Sequence, residues 1–206
     1  MTQLKDTVKD SYPSLKTLLN GYNESFNSAI VNYQPRHPIT YNGLRWDILP
    51  GNIYDLDASI ISFDRNINQM EIIYHKNLKS VDGSIVHYGD NRTGLGEGDD
   101  EVLSVDLSRI NPNVNAMAVI VNSFKGNSMI GLKSAFIRLY DQTRLIGCHV
   151  LGQGSESTGL LLGLFRRDFA NNTWLFQVMI SPLPGKEAPD SINQLRIILD
   201  KYKMPI

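Results

Sequence analysis

From about residue 43 the chain runs in short apolar stretches rich in Ile, Val, Phe and Tyr, broken by Gly, Asn and Asp. That texture predicts strands and turns. The segments are 53–63, 69–75, 84–88, 101–107, 116–124, 132–140, 144–151, 158–165 and 173–180. So many strands without helical segments between them predict a two-sheet antiparallel β-sandwich, because parallel pairs need long crossovers. "SINQLRIILDKY", 191–202, places Ile192, Leu195, Ile198 and Leu199 on one side and predicts a C-terminal helix.

The first 40 residues have a different rhythm. Leu4, Val8, Tyr12, Leu15, Leu18 and Leu19 recur at mostly helical spacing, with Pro13 where a second helix could begin. "NYQPRHPITYNG", 32–43, carries two prolines and reads as a linker. The expected architecture is therefore mainly β, with an N-terminal helical extension over 1–40 and a sandwich domain over 41–206.

Composition narrows the function classes. With 206 residues, 42% of them hydrophobic, the chain has material for a sizeable core. No run approaches the roughly 18 apolar residues of a membrane span, and the N-terminus lacks a secretory signal, so a cytoplasmic protein without a transmembrane segment is expected. The single cysteine, Cys148, fits a reducing compartment. A net charge of -1 gives no basic face for a nucleic-acid backbone, so no nucleic-acid partner is expected.

That near-neutral average hides an asymmetry. Between Asp82 and Asp106, seven acids face one arginine, a net of -6, which leaves +5 on the rest of the chain. In "DLDAS" the alternation of a strand sends Asp55 and Asp57 to one face while Leu56 and Ala58 take the other. Farther on, "GDNRTGLGEGDDE" sets glycines at 89, 94, 96 and 98, which lets the backbone curl and turn carbonyl oxygens inward. Between them stand Asp90, Asn91, Thr93, Glu97, Asp99, Asp100 and Glu101.

All of these side chains offer oxygen and none offers sulfur or imidazole, the ligand set of a hard cation. Calcium fits better than magnesium, which dehydrates reluctantly and usually borrows substrate phosphates. Two carboxylates about 4 Å apart repel by roughly 4 kcal/mol at an effective dielectric near 20, so a loop packed on a sandwich needs something positive beside it. Replacing Asp99 and Asp100 by Asn is accordingly expected to weaken binding sharply. The helix-loop-helix calcium pattern is absent, and "GLGEG" lacks the lysine and hydroxyl of a phosphate loop.

Other candidates carry less. Cys148 and His149 are strand neighbours that point to opposite faces and cannot easily share a proton. His75 and His87 flank the "NLKSVDGS" turn and read as packed or hydrogen-bonded rather than as ligands. Trp46 and Trp174 are expected in the core, and Arg138, Arg166 and Arg167 form the basic grouping on strands. No catalytic set emerges, and the chain is expected not to be an enzyme.

"YDLDASIISFD", "IIYHKNLKSVDGSIVHYGDNRTGLGEGDDEVLSVDL", "SAFIRLYD" and "NNTWLFQV" together resemble the TerD family of tellurium-resistance and general stress-response proteins, from about Leu44 to about Val178. The resemblance implies a calcium-binding β-sandwich without established enzymatic activity, linked to tellurite and other chemical stress. It implies a load of two neighbouring calcium ions on Asp55, Asp57, Asp90, Asn91, Thr93, Glu97, Asp99, Asp100 and Glu101. It further implies partner proteins of the stress-response kind at a membrane surface, and the charge cluster itself suggests the means: a cation that orders the 89–101 loop would present a surface for a partner to recognise. Some eukaryotic relatives are described as cAMP-binding, which gives the alternative of a cyclic-nucleotide receptor using a strand arginine. Two departures stand out: "GCHVL" at 147–151 replaces a common R-Y-D-L, and "ISPLPGKEAPDS" replaces a glycine-rich C-terminal tract.

Overall fold

A computed structural model describes residues 33–47, 54–96, 98–130, 132, 135–142, 144–152 and 156–202. Among the described residues ten strands follow one another: β1 (Ile39–Trp46), β2 (Leu56–Phe63), β3 (Gln69–Ile73), β4 (Ile85–His87), β5 (Glu101–Asp106), β6 (Ala116–Ser123), β7 (Ala135–Asp141), β8 (Arg144–Val150), β9 (Gly159–Asp168) and β10 (Thr173–Leu183). They form two five-stranded sheets, β4-β5-β1-β7-β8 and β10-β9-β6-β2-β3, and every pairing is antiparallel. The expected sandwich is present, and a helix, α1 (Ile192–Lys201), closes the described chain. The expected helical extension falls on residues outside those described, apart from Tyr33 onward.

Strand alternation builds two apolar layers. Leu44, Trp46, Leu103, Ile137 and Leu139 of the first sheet meet Leu56, Ala58, Ile60, Val119, Phe165 and Phe176 of the second. Phe165 and Phe176 pack edge to face with centroids 4.7 Å apart. Both tryptophans belong to this core, Trp174 also stacking under the Arg167 guanidinium at 4.4 Å. On the other side of the second sheet, Ile61, Phe63, Ala118 and Leu164 receive Leu195, Ile198 and Leu199 of α1.

The linker read over 32–43 needs correction. Its second half is β1, which sits in the middle of the first sheet with Thr40 opposite both Val105 of β5 and Asp141 of β7. The strand crosses the expected 40/41 domain boundary. Pro35 and Pro38 suggested irregular chain, yet both precede the strand, where proline's missing N–H costs no ladder bond. The stretch before it is also tied down: Tyr33 exchanges backbone hydrogen bonds with Phe176 of the opposite sheet at 2.6 and 2.7 Å.

Asp141, buried at the end of β7, accepts from Tyr33 Oη at 2.6 Å, Arg36 N at 2.7 Å and His37 N at 3.1 Å. Burial and the Asp141 carboxylate push the Tyr33 phenol up to about 12. Asp141→Ala strips three donors of a charged acceptor, and we expect a loss of about 2–4 kcal/mol. In a thermal melt that corresponds to a Tm roughly 5–15 °C lower.

Candidate metal centre

The geometry of the site begins with a mismatch in strand length. β3 pairs with β2 only between Ile60 and Phe63, so the first half of β2 has no ladder partner on that side. Glu101, the first residue of β5, fills the gap with its side chain: Oε2 accepts the Ala58 N–H at 2.7 Å. Asp57, beside Ala58 and facing the opposite way, and Asp90, from the loop after β4, complete a group. Asp57, Asp90 and Glu101 each bring one carboxylate oxygen to within 4.8 Å of the other two. Asp55, Asp57 and Asp90 line a cleft of about 20 Å³ with His75, Arg92 and Phe124, room for one water or ion.

Burial makes this arrangement costly. Asp57 is 4% exposed and Glu101 fully buried. Desolvation first, then the Glu101, Asp55 and Asp90 charges, push the Asp57 carboxyl up to about 8. Asp55 moves in the same direction, through burial and then Asp90. Asp57 Oδ2 is buried with no hydrogen-bond partner. An orphaned buried carboxylate oxygen among other carboxylates is what a hard cation would satisfy, so the residues fit such an ion.

The two histidines stand closer to the acids than the sequence suggested. His75 Nδ1 lies 3.0 Å from Asp57 Oδ1, although its ring is not angled to hydrogen-bond. His87 Nδ1 accepts the Gly89 N–H at 3.1 Å, and its Nε2 lies 3.5 Å from Glu101 Oε2. The turn between them was the available signal, since it returns β4 beside the end of β3.

The rest of the expected ligand set is dispersed. Asp99 turns away and forms a buried ion pair with Arg138 of β7. Gly43 is what admits it, because a methyl at that position would overlap the Asp99 carboxylate. Asp100 Oδ2 accepts Trp46 N–H at 3.0 Å and Oδ1 accepts from Asn91 Nδ2 at 2.9 Å, while burial pushes its carboxyl up to about 6. The Asn91 side-chain oxygen accepts from the Thr93 and Gly94 N–H groups at 3.0 and 3.1 Å. Thr93 Oγ donates to that same oxygen at 3.1 Å. Asn91 and Thr93 thus shape the loop, and Glu97 lies outside the described residues.

The loop glycines behave as expected, with φ of +119° at Gly89, +66° at Gly94, +144° at Gly96 and +78° at Gly98. Two of their carbonyls, Gly96 O and Gly98 O, are taken by Arg45 rather than turned toward the cleft. Among the described residues one carboxylate group of this kind exists, with room for one ion.

The TerD domain matches residues 27–185, more than the expected span at both ends. This chain belongs to the TerD family. It is similar to the tellurium resistance protein TerZ of Serratia marcescens, 36% identical over 155 residues, which cover 74% of this chain and 79% of that one. General stress protein 16U of Bacillus subtilis (strain 168) is 29% identical over 156 residues, 69% and 80% of the two chains. A crystal structure of a telluride resistance protein (TerD) homologue from Streptomyces coelicolor A3(2) superposes with a TM-score of 0.66. At 18% identity, covering 74% of this chain and 94% of that one, it supports the shared fold alone. In this TerD domain the acidic cleft lies where β2 extends past the end of β3.

The other candidates recede. Cys148 is opposite Arg138 and His149 opposite Ile137, on different faces of β8. Burial pushes the thiol up to about 11 and the imidazole down to about 4, which leaves both uncharged at neutral pH. The arginines of the cyclic-nucleotide alternative are engaged: Arg138 with Asp99, Arg166 with Gln177 at 3.0 Å, and Arg167 with Val114 O and Asn111 O. Among the described residues no helix is long and apolar enough to cross a membrane.

Proposed function

We propose that this TerD-family protein is a non-catalytic calcium-binding module of the response to tellurite and other chemical stress, working in the cytoplasm. Asp57, Asp90 and Glu101 hold the ion, with Asp55 adding charge beside them. Cation entry removes the repulsion among these groups and fixes the 89–101 loop, whose outer surface then recognises a partner protein. A second calcium, which the family resemblance implies, would draw on acids outside the triad. The observation that carries this reading is the buried, partnerless Oδ2 of Asp57 among three further carboxylates. The names of the relatives supply the stress context.

The sign of the pH effect follows from the raised Asp57 pKa. Its proton stabilises the cation-free fold fully below about pH 4, and that stabilisation is lost as pH rises through about 8. Calcium competes with this proton, so the stabilisation by calcium should grow across the same interval. We expect calcium to raise the Tm at pH 8 by several degrees more than at pH 5, with EDTA reversing the gain. A melting curve unmoved by calcium and EDTA at both pH values, with no heat in a calorimetric titration at millimolar ion, would overturn the reading.

A further inference from the structure

We propose that the acidic cleft, with its cation in place, is a binding site for a phosphate group, received by Arg92 and Lys125 at the mouth. This inference rests on the calcium reading above. Arg92 lines the cleft together with the acids, yet its side chain is 76% exposed. Among the described residues it donates only through Nε, to Asp90 Oδ2 at 3.1 Å, so both terminal nitrogens remain available. Lys125 is exposed and has no carboxylate partner among the described residues. It follows Phe124, which lines the cleft and whose N–H is held by Asp55 O at 2.9 Å, and its charge acts on the Asp55 carboxylate.

A site built for a bare cation gains nothing from two positive side chains at its entrance, since they only repel the ion. They become useful when an anion follows it in. Calcium accepts 6–8 oxygens. The triad cannot supply that number alone, because Glu101 Oε2 already accepts from Ala58 and Asp90 Oδ2 from Arg92. The remaining positions face the open mouth, where a phosphate can give oxygens to the ion and accept from guanidinium and ammonium groups. Phe124, 40% exposed, offers an apolar wall for the esterified part of the ligand.

The test is calorimetric titration of calcium into the full chain with and without millimolar methyl phosphate, paired with calcium-dependent sedimentation on phosphatidylcholine vesicles with and without phosphatidic acid. We expect one of the two phosphate sources to tighten calcium binding at least about fivefold, the low end of ordinary coupling between sites. In the Arg92→Gln, Lys125→Gln double variant that gain should vanish, while calcium binding without phosphate stays as tight or becomes tighter. A gain from methyl phosphate alone assigns a soluble phosphate ester, and sedimentation only with phosphatidic acid assigns a lipid headgroup. Normal calcium binding that neither source changes overturns this inference and leaves the calcium reading intact. No calcium binding at all overturns both.

Discussion

Replacing Asp57 by Asn is expected to make the cation-free protein more stable and to cost it most of its calcium affinity. The two effects have one cause. At neutral pH the buried carboxyl must hold a proton that the unfolded chain releases, because burial and the charges of Glu101, Asp55, Asp90 and Glu187 push it up to about 8. Asn keeps the shape and carries no such charge. Removing the penalty should stabilise the apo protein at pH 7–8 by on the order of 2–4 kcal/mol, with the gain fading below pH 4, where Asp is protonated in both states. On the proposed calcium reading the same change removes a charged ligand, and calcium affinity follows ligand charge. A loss of at least ~10-fold in Kd is expected, about 1.4 kcal/mol or more. Urea melts across pH with matched calcium titrations measure both quantities. A variant that loses stability while keeping its calcium affinity would identify Asp57 as a structural residue.

The second large effect concerns Arg138 and Asp99. Arg138→Met leaves the Asp99 carboxylate buried opposite an apolar side chain, and breaking a buried pair on one side costs about 3–5 kcal/mol. The double variant Arg138→Met, Asp99→Asn removes both charges and should recover a large part of that loss. Asp99→Asn alone should destabilise the fold while leaving calcium affinity nearly unchanged, the reverse of the Asp57 pattern. This contrast separates the two acids in one experiment. If Asp99→Asn instead abolished calcium binding at unchanged stability, Asp99 would belong to the metal centre and its pairing with Arg138 would be incidental.

The comparison of Asp57 with Asp99 also marks how far the sequence reaches. Nine strands were legible because their short apolar runs are bounded by turn residues, and the closing helix because its apolar positions share one face. β1 was hidden by Pro35 and Pro38, which lie just outside it, and by Asn42 and Gly43, which look like turn residues but stand in a central strand. For the site, alternation correctly placed Asp55 and Asp57 away from the core-facing Leu56 and Ala58. The run Asp99-Asp100-Glu101 reads as one ligand group in the sequence, whereas the structure sends its three acids in three directions: to Arg138, to the Trp46 and Asn91 amides, and into the acidic group. Which one faces the cleft depends on where β5 begins and on a charge 39 residues away, and neither is local. His75 escaped for a related reason, since its nearness to Asp57 arises only when β3 stops short beside β2.

The early end of β3 has one more consequence. An uncovered half-strand is ordinarily a template on which a second copy can add its own backbone and begin a fibre. Here that stretch of β2 is occupied by the Glu101 carboxylate, which already takes the Ala58 N–H, and is flanked by Asp55, Asp57 and Asp90, so an incoming strand would turn its own carbonyl oxygens toward negative charge. The same acids that fit a cation are thus expected to oppose strand addition along that margin.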